Sequence, residues 1–145
     1  MNAERPALYV AEPSAQYLLM PPLVVDCSLL ASLLFHETTQ TDAAMRIGGK
    51  TLHAPYLLQV EMASVADKKC RLGITEKATL ALAEFDAMAI ELHEIDPVAV
   101  LSLALQYKLS SYDASYLWLA AELKCPLATF DEKLGRAAQT HLSTI

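Results

Sequence analysis

A short apolar run that ends on a carboxylate constrains the fold of this chain more than any other stretch. Leu23, Val24 and Val25 follow one another without a polar residue, which is typical of a strand buried on both faces in a parallel sheet. A helical pattern begins directly afterwards, with apolar positions at Leu29, Leu30, Leu33 and Leu34. Asp26 is therefore predicted at the carboxyl end of a strand, the edge where open α/β sheets bind ligands.

Further apolar runs alternate with helical patterns along the chain. The runs predict strands at residues 51–54, 92–95 and 126–129, and a last edge strand at residues 141–145. Helices are predicted between them, opening near residues 41, 58, 75, 97, 111 and 131. A chain of 145 residues is most simply one folding unit. The alternation predicts an α/β protein, a three-layer α/β/α domain around a short, mainly parallel sheet.

The first 22 residues differ from the rest of the chain. Prolines interrupt every possible helix there, at Pro6, Pro13, Pro21 and Pro22. We predict that residues 1–22 form an extended arm and that residues 23–145 form the domain. The apolar residues of the arm would pack on the domain or on a second chain, and a loose N-terminal extension is the alternative.

Composition narrows the class of protein. The formal net charge of −6 argues against nucleic-acid binding through bulk charge, so any such contact needs a local basic patch or a bound metal. No apolar run is long enough for a membrane span, and the N-terminus has no signal-peptide pattern. Three widely spaced cysteines indicate reduced core residues, not a disulfide framework. We therefore expect a cytoplasmic protein without membrane contact.

Four acids occupy comparable places at or near helix starts: Asp26, Glu61, Asp113 and Asp131. Asp26 and Asp131 each follow a short apolar strand and precede a helix, so both should point into one crevice. Glu61 lies on or beside the apolar face of its helix, where a carboxylate is unusual unless it is paired or binds metal. Converging carboxylates repel one another, and a divalent cation with oxygen ligands, Mg²⁺ or Mn²⁺, relieves that repulsion.

Each acid also has a purely structural interpretation. Asp26 and Asp131 could cap their helices, a contribution of about 1 kcal/mol. Asp113 could belong to a capping arrangement that Ser110 begins, and Glu61 could be a surface residue if the helical phase is shifted by one. The case for a site rests on the four acids together.

The ordered motifs resemble a PIN domain from about residue 23 to the end. They are Val24-Val25-Asp26-Cys27-Ser28, then Pro55 with Leu57-Leu58-Gln59-Val60-Glu61, then Tyr112-Asp113-Ala114-Ser115-Tyr116 with Leu119-Ala120, then Pro126-Leu127-Ala128-Thr129-Phe130-Asp131 with Leu134. Among PIN domains the chain is most similar to VapC-type toxins of toxin–antitoxin pairs. The long arm before the first strand departs from that pattern, because such toxins usually begin close to it.

The resemblance implies a Mg²⁺- or Mn²⁺-dependent endoribonuclease, usually a homodimer, that a cognate antitoxin holds inactive. It implies that the catalytic and metal-binding residues are Asp26, Glu61, Asp113 and Asp131. Ser28 and Thr129 fall where the family often keeps a hydroxyl that orients a carboxylate or a water. We expect the antitoxin to place an Arg or Lys among the acids and an apolar segment in a groove lined by helices 29–35 and 57–66.

Basic residues follow two of the acids and could bind RNA phosphates: Lys68, Lys69, Lys133 and Arg136. The alternative is a solvated helix face. The four histidines, His36, His53, His93 and His141, show no catalytic spacing and are expected in core or surface roles.

A non-catalytic, Mg²⁺-binding α/β signalling or binding module is the rival interpretation. A receiver-type site would need an acidic pair directly after the first strand and a lysine after a late strand. Here Asp26 stands alone and Lys133 falls inside the last predicted helix. The pattern therefore favours the nuclease.

Overall fold

A computed structural model describes residues 4–12 and 20–145 of the chain. The strands in this part are β1 (Tyr9–Ala11), β2 (Pro22–Val25), β3 (Thr51–Pro55), β4 (Ile90–His93) and β5 (Leu127–Thr129). The helices are α1 (Cys27–Leu34), α2 (Gln40–Ile47), α3 (Leu57–Arg71), α4 (Thr75–Ala87), α5 (Pro97–Tyr107), α6 (Ser111–Leu123) and α7 (Glu132–Leu142).

The five strands form one sheet in the order β1-β5-β2-β3-β4. Strands β2, β3, β4 and β5 are parallel, and β1 pairs with β5 in the antiparallel sense. Helices α1 to α4 pack together, and helices α5 to α7 form a second group. The three-layer α/β/α architecture with a mainly parallel sheet is confirmed.

The chain changes direction across the sheet between β2 and β5. From β2 it proceeds outward through β3 to β4, and it then returns to add β5 on the other side of β2. Such a switch leaves a crevice beyond the carboxyl ends of the two strands, because their connecting helices lie on opposite faces. Val24 and Val25 are fully buried at this place, as expected for a strand covered on both faces.

Three residues of the N-terminal arm lie in the sheet as β1. Tyr9, Val10 and Ala11 pair with Thr129, Ala128 and Leu127. The side chain of Tyr9 packs over Gly135 of α7, where a Cβ atom would lie only 2.3 Å from the Tyr9 Cβ. Pro13 and residues 17–19 of the predicted arm lie outside the described residues. The domain boundary at residue 22 remains a prediction.

The structure differs from the sequence-based expectation at one predicted strand that is absent from the described residues and at the position of another. The strand predicted at residues 141–145 was wrong, because α7 continues to Leu142. Leu134, Ala138 and Leu142 recur at four-residue spacing and are all buried, so the helical face extends to that point. The third parallel strand lies at Ile90–His93 and not at residues 92–95, because the chain leaves the sheet before Asp96 caps α5.

Within the described ranges, no helix combines the length and the apolar character that crossing a membrane requires.

Candidate active site

Asp26 and Asp131 lie at the same edge of the sheet because β2 and β5 are parallel neighbours. Val25 pairs with Ala128, so the two strands end almost level. Asp26 directly follows β2 and Asp131 comes two residues after β5. The two residues thus border the crevice at the switch point, where the sequence predicted them.

Hydrogen bonds hold the carboxylate of Asp26 at both oxygens. Its Oδ1 accepts from the Ser28 hydroxyl at 2.7 Å and from the Leu29 amide at 3.1 Å, and its Oδ2 accepts from the Thr129 hydroxyl at 2.5 Å. Two carboxylate oxygens offer about four acceptor positions, so these three bonds leave one for a further partner. Asp26 is only 5 % exposed.

Burial dominates the protonation of Asp26. It raises the pKa to about 6, although the hydrogen bonds from Thr129, Ser28 and Leu29 act in the opposite direction. The negative charge of Asp113 adds to the increase. The hydrogen bonds from neighbouring residues therefore do not fully compensate for the cost of charging Asp26 in its buried position.

Ser28 and Thr129 join the ends of the two strands. The Ser28 hydroxyl also accepts from the Phe130 amide at 2.9 Å, and the Thr129 hydroxyl accepts from the Asp131 amide at 2.9 Å. The two hydroxyl oxygens are 3.2 Å apart. Both side chains thus make the predicted contact with a carboxylate, and they fix the backbone that leads to Asp131.

Asp26 and Asp131 are also helix caps, as their structural interpretation required. Asp26 is the N-cap of α1, and Asp131 is the N-cap of α7 with its Oδ1 accepting from the Leu134 amide at 2.8 Å. A capping bond occupies one oxygen of a carboxylate. Capping and a role in the crevice are therefore compatible at both positions.

Asp113 lies in the first turn of α6 and is half-buried. Ser110 caps that helix by accepting from the Asp113 amide at 3.1 Å. Burial, followed by the charges of Asp131 and Glu61, raises the pKa of Asp113 to about 6, while Ser110 and Lys133 partly oppose the increase. Asp113 is therefore close enough to Asp131 and Glu61 for their charges to act on its carboxylate.

Glu61 is half-buried on α3 and is bound by a tyrosine. The hydroxyl of Tyr116 donates to Glu61 Oε1 at 2.6 Å. Burial and the adjacent Glu61 raise the pKa of Tyr116 far above its ordinary value, so the phenol stays protonated and remains a donor. Tyr116 had no predicted role. Its position three residues after Asp113 on one helix face is the sequence signal that could have identified it.

The donor set fits a hard divalent cation. All four predicted ligands are carboxylates, the ligand type suited to Mg²⁺ and Mn²⁺. In the described part of the chain, no three of these acids bring oxygens within 4.8 Å of one another. Mg²⁺ usually keeps several waters and binds through one or two carboxylates, so this open arrangement suits it. The raised pKa values of Asp26 and Asp113 show that positive charge would be favourable here.

The four predicted RNA-binding residues have different surroundings. Lys133 is exposed, and its charge lowers the pKa of Asp113. Lys68 is also exposed, and its charge lowers the pKa of Cys27 beside the crevice. Lys69 instead lies over the ring of Phe35, 5.8 Å from its centroid. Arg136 is paired with Glu132 at 2.6 Å. Lys68 and Lys133 are therefore better placed for phosphate than the other two.

Cys27 is not an activated thiol. It is half-buried, its Sγ lies 3.7 Å from the sulfur of Met62, and burial with the charges of Glu61 and Asp26 raises its pKa to about 12. A nucleophilic cysteine needs a lowered pKa. Covalent catalysis through this thiol is therefore not supported.

Comparison with known proteins gives a consistent result. The family model described as PIN domain matches residues 23–139. The chain is 30 % identical over 120 residues to VapC ribonuclease Mb0985 of Mycobacterium bovis and to Ribonuclease VapC9 of Mycobacterium tuberculosis, which covers 81 % of this chain and 91 % of each relative. The crystal structure of PAE2754 from Pyrobaculum aerophilum superposes with a TM-score of 0.66 at 26 % identity, covering 85 % of this chain and 88 % of that one.

Proposed function

Because this chain belongs to the PIN domain family and matches VapC ribonucleases over most of its length, we propose that it is an endoribonuclease toxin that hydrolyses RNA with Mg²⁺ or Mn²⁺. The observation that carries the proposal is the placement of Asp26 and Asp131 at the carboxyl ends of the neighbouring parallel strands β2 and β5. Asp113 is near enough for the charge of Asp131 to raise its pKa. Repulsion of this kind is unfavourable in a resting protein and is offset by a cation.

In this proposal Asp26 and Asp113 are direct metal ligands, and Glu61 and Asp131 bind the ion directly or through water. The ion supplies a bound water of lowered pKa and neutralises charge on the phosphate. Ser28 and Thr129 hold Asp26 in a fixed orientation through their hydrogen bonds to its two carboxylate oxygens. Tyr116 does the same for Glu61 through one hydrogen bond.

Lys68 and Lys133 supply local positive charge for the RNA backbone. An acidic chain of net charge −6 repels a polyanion in bulk, so binding depends on such residues and on the cation. Lys69 and Arg136 contribute less, since each is already engaged with another side chain.

The partner that we propose is an antitoxin that covers the acids. A groove of about 630 Å³ runs along the ends of β3 and β4 and is lined by Tyr56, Leu57, Leu101 and Tyr112, among others. Tyr112 adjoins Asp113 in sequence, and Leu57 shares α3 with Glu61. An apolar segment in this groove would bring a neighbouring Arg or Lys to the acids. The groove shares only Leu57 with the expected surface of helices 29–35 and 57–66.

The family resemblance also supports a homodimer, which light scattering on the purified chain would test. The cysteines Cys27, Cys70 and Cys125 are free in the structure, which suits a reducing cytoplasm.

The decisive test is RNA cleavage by purified wild type, Asp26→Asn and Asp113→Asn in Mg²⁺, in Mn²⁺ and with chelator. Each substitution keeps the shape of the side chain and removes its charge, so the rate should fall by at least about 100-fold. Asp86→Asn, on the exposed face of α4, is the matched control and should cleave at the wild-type rate. Equal rates in all variants would refute the nuclease and favour the non-catalytic Mg²⁺-binding module.

A further inference from the structure

Three potential metal ligands meet on one face of the sheet, and none of them is one of the four acids. His53 lies on β3, and Glu91 and His93 lie on β4. In the parallel register His53 pairs with Glu91, and Pro55 pairs with His93. Because side chains alternate along a strand, positions 91 and 93 share a face with position 53.

Two of the distances between the ligand atoms are close to those of a coordination sphere. His53 Nδ1 lies 2.9 Å from His93 Nε2 and 3.4 Å from Glu91 Oε2, and all three atoms lie within 4.8 Å of one another. Tetrahedral Zn²⁺ with bonds of about 2.0–2.1 Å places its ligand atoms roughly 3.3 Å apart. The separations of 2.9 Å and 3.4 Å lie below and above that value.

One of the three potential ligands is buried, and another is exposed to solvent. His53 is buried, with 8 % exposed, whereas the Glu91 side chain is 64 % exposed. His93 is half-buried and lines the groove of the proposed antitoxin site. An ion could therefore enter from solvent and keep a water or an external ligand in its fourth position.

We propose that His53, Glu91 and His93 form a second metal site, for a borderline divalent cation such as Zn²⁺. Two imidazoles and one carboxylate are a ligand set that Zn²⁺ accepts with an open fourth position. Mg²⁺ prefers oxygen ligands, so the site differs in selectivity from the acidic crevice. Occupancy would link the edge strand β4 to β3.

The alternative is a plain hydrogen bond between two imidazoles beside an exposed glutamate. That contact needs only one ring proton and leaves Glu91 dispensable. The two interpretations differ in whether Glu91 and His93 both determine the affinity for a metal.

Chelator-treated protein should be titrated with Co²⁺ as a spectroscopic probe and with Zn²⁺ by calorimetry. Tetrahedral Co²⁺ absorbs strongly in the visible range and octahedral Co²⁺ only weakly, so a strong band that Zn²⁺ abolishes would identify this site. His93→Ala and Glu91→Gln should each lose the band and weaken Zn²⁺ binding at least tenfold. His36→Ala, at an exposed histidine outside the cluster, should leave both unchanged.

The result that would overturn the proposal is equally specific. Absence of the band in wild type, its persistence in Glu91→Gln, or its loss in His36→Ala would each reject a site at this cluster. Circular dichroism of every variant controls for folding, and Glu91→Gln alters an exposed side chain, so it should keep the fold. The readout does not depend on RNA cleavage and would stand if the nuclease proposal failed.

Discussion

Asp26 accepts three hydrogen bonds on its carboxylate, yet its pKa is raised to about 6. Hydrogen bonds to a carboxylate favour its charged form, and removal from water disfavours it. The raised pKa means that desolvation outweighs the three bonds. The same direction holds for Asp113, where the charges of Asp131 and Glu61 add to the burial. Both residues are thus charged near neutral pH at a cost in free energy that a cation would offset.

We expect the metal-free protein to lose stability as pH rises, and Asp113→Asn to reduce that loss. The pKa of Asp113 is 3.8 without the fold and about 6 within it, so the folded state binds the extra proton between these values. Stability is then highest at low pH and falls as pH rises through about 6. Urea unfolding with chelator from about pH 4 to about pH 7 measures the slope. If Asp113→Asn were clearly less stable than wild type at neutral pH, and its stability depended on pH as in wild type, the charge would instead have a structural role.

Thr129→Val should test the hydroxyl that joins the two strand ends. Thr129 is fully buried, donates to Asp26 and accepts from the Asp131 amide, and valine keeps its shape. We expect a loss of about 1–3 kcal/mol in unfolding free energy, because the amide is left without its partner. RNA cleavage should fall about 10- to 100-fold, less than for the acids. Thr79→Val, on an exposed helix face, is the control. If Thr129→Val were destabilised but cleaved RNA at the wild-type rate, the hydroxyl would have a role in folding only.

The regular elements were predictable where apolar periodicity and capping residues agree. Asp96 with Pro97 opens α5 as expected, and Ser110 caps α6. The prediction failed at residues 141–145, where a short tail with two apolar residues fits a strand and the last turn of a helix equally well. Only the buried face shared by Leu134 and Leu142 decides between them.

Lys68 and Lys133 should contribute more to RNA binding than Arg136. Lys68→Ala and Lys133→Ala remove exposed charges beside the crevice, so each should weaken RNA binding and lower the dependence of the affinity on salt by about one counterion. Arg136→Ala should have a smaller effect because Glu132 already pairs with the guanidinium. Binding of RNA to the Asp26→Asn protein across a salt series measures this without cleavage. An equal loss for Arg136→Ala would show that the ion pair opens when RNA binds.

Strand β1 and helix α7 form a contact that one added methyl group should disrupt. The Cβ of an alanine at position 135 would lie 2.3 Å from both Cβ and Cγ of Tyr9, so one of the elements must move. We expect Gly135→Ala to destabilise the protein by about 1–3 kcal/mol. It should also speed amide exchange in Tyr9–Ala11. Tyr9→Gly in the same chain removes both clashing atoms and should suppress the added effect. An unchanged exchange rate in Gly135→Ala would mean that β1 does not pack on α7 in this way in solution.

At the scale of the whole molecule, pairings between distant strands limited what the sequence could reveal. Nothing in the residues around Asp26 and Asp131 specifies that β2 and β5 are neighbours. The prediction of a shared crevice depended on the expectation that both acids follow apolar strands of one parallel sheet. The cluster of His53, Glu91 and His93 was missed for the same reason. It arises because the register of β3 against β4 brings together residues that are about 40 positions apart in sequence.

The overall charge of −6 makes a control for ionic strength essential in any test of metal binding. Any salt screens repulsion in an acidic protein and can stabilise it without a site. We expect Mg²⁺ at 100 times its dissociation constant to raise the unfolding free energy by about 2.7 kcal/mol above NaCl of equal ionic strength. Asp26→Asn should lose this difference and Asp86→Asn should keep it, because only the first carboxylate borders the crevice. If Mg²⁺ and matched NaCl stabilised wild type equally, the acids would hold no ion, and their raised pKa values would reflect burial and repulsion alone.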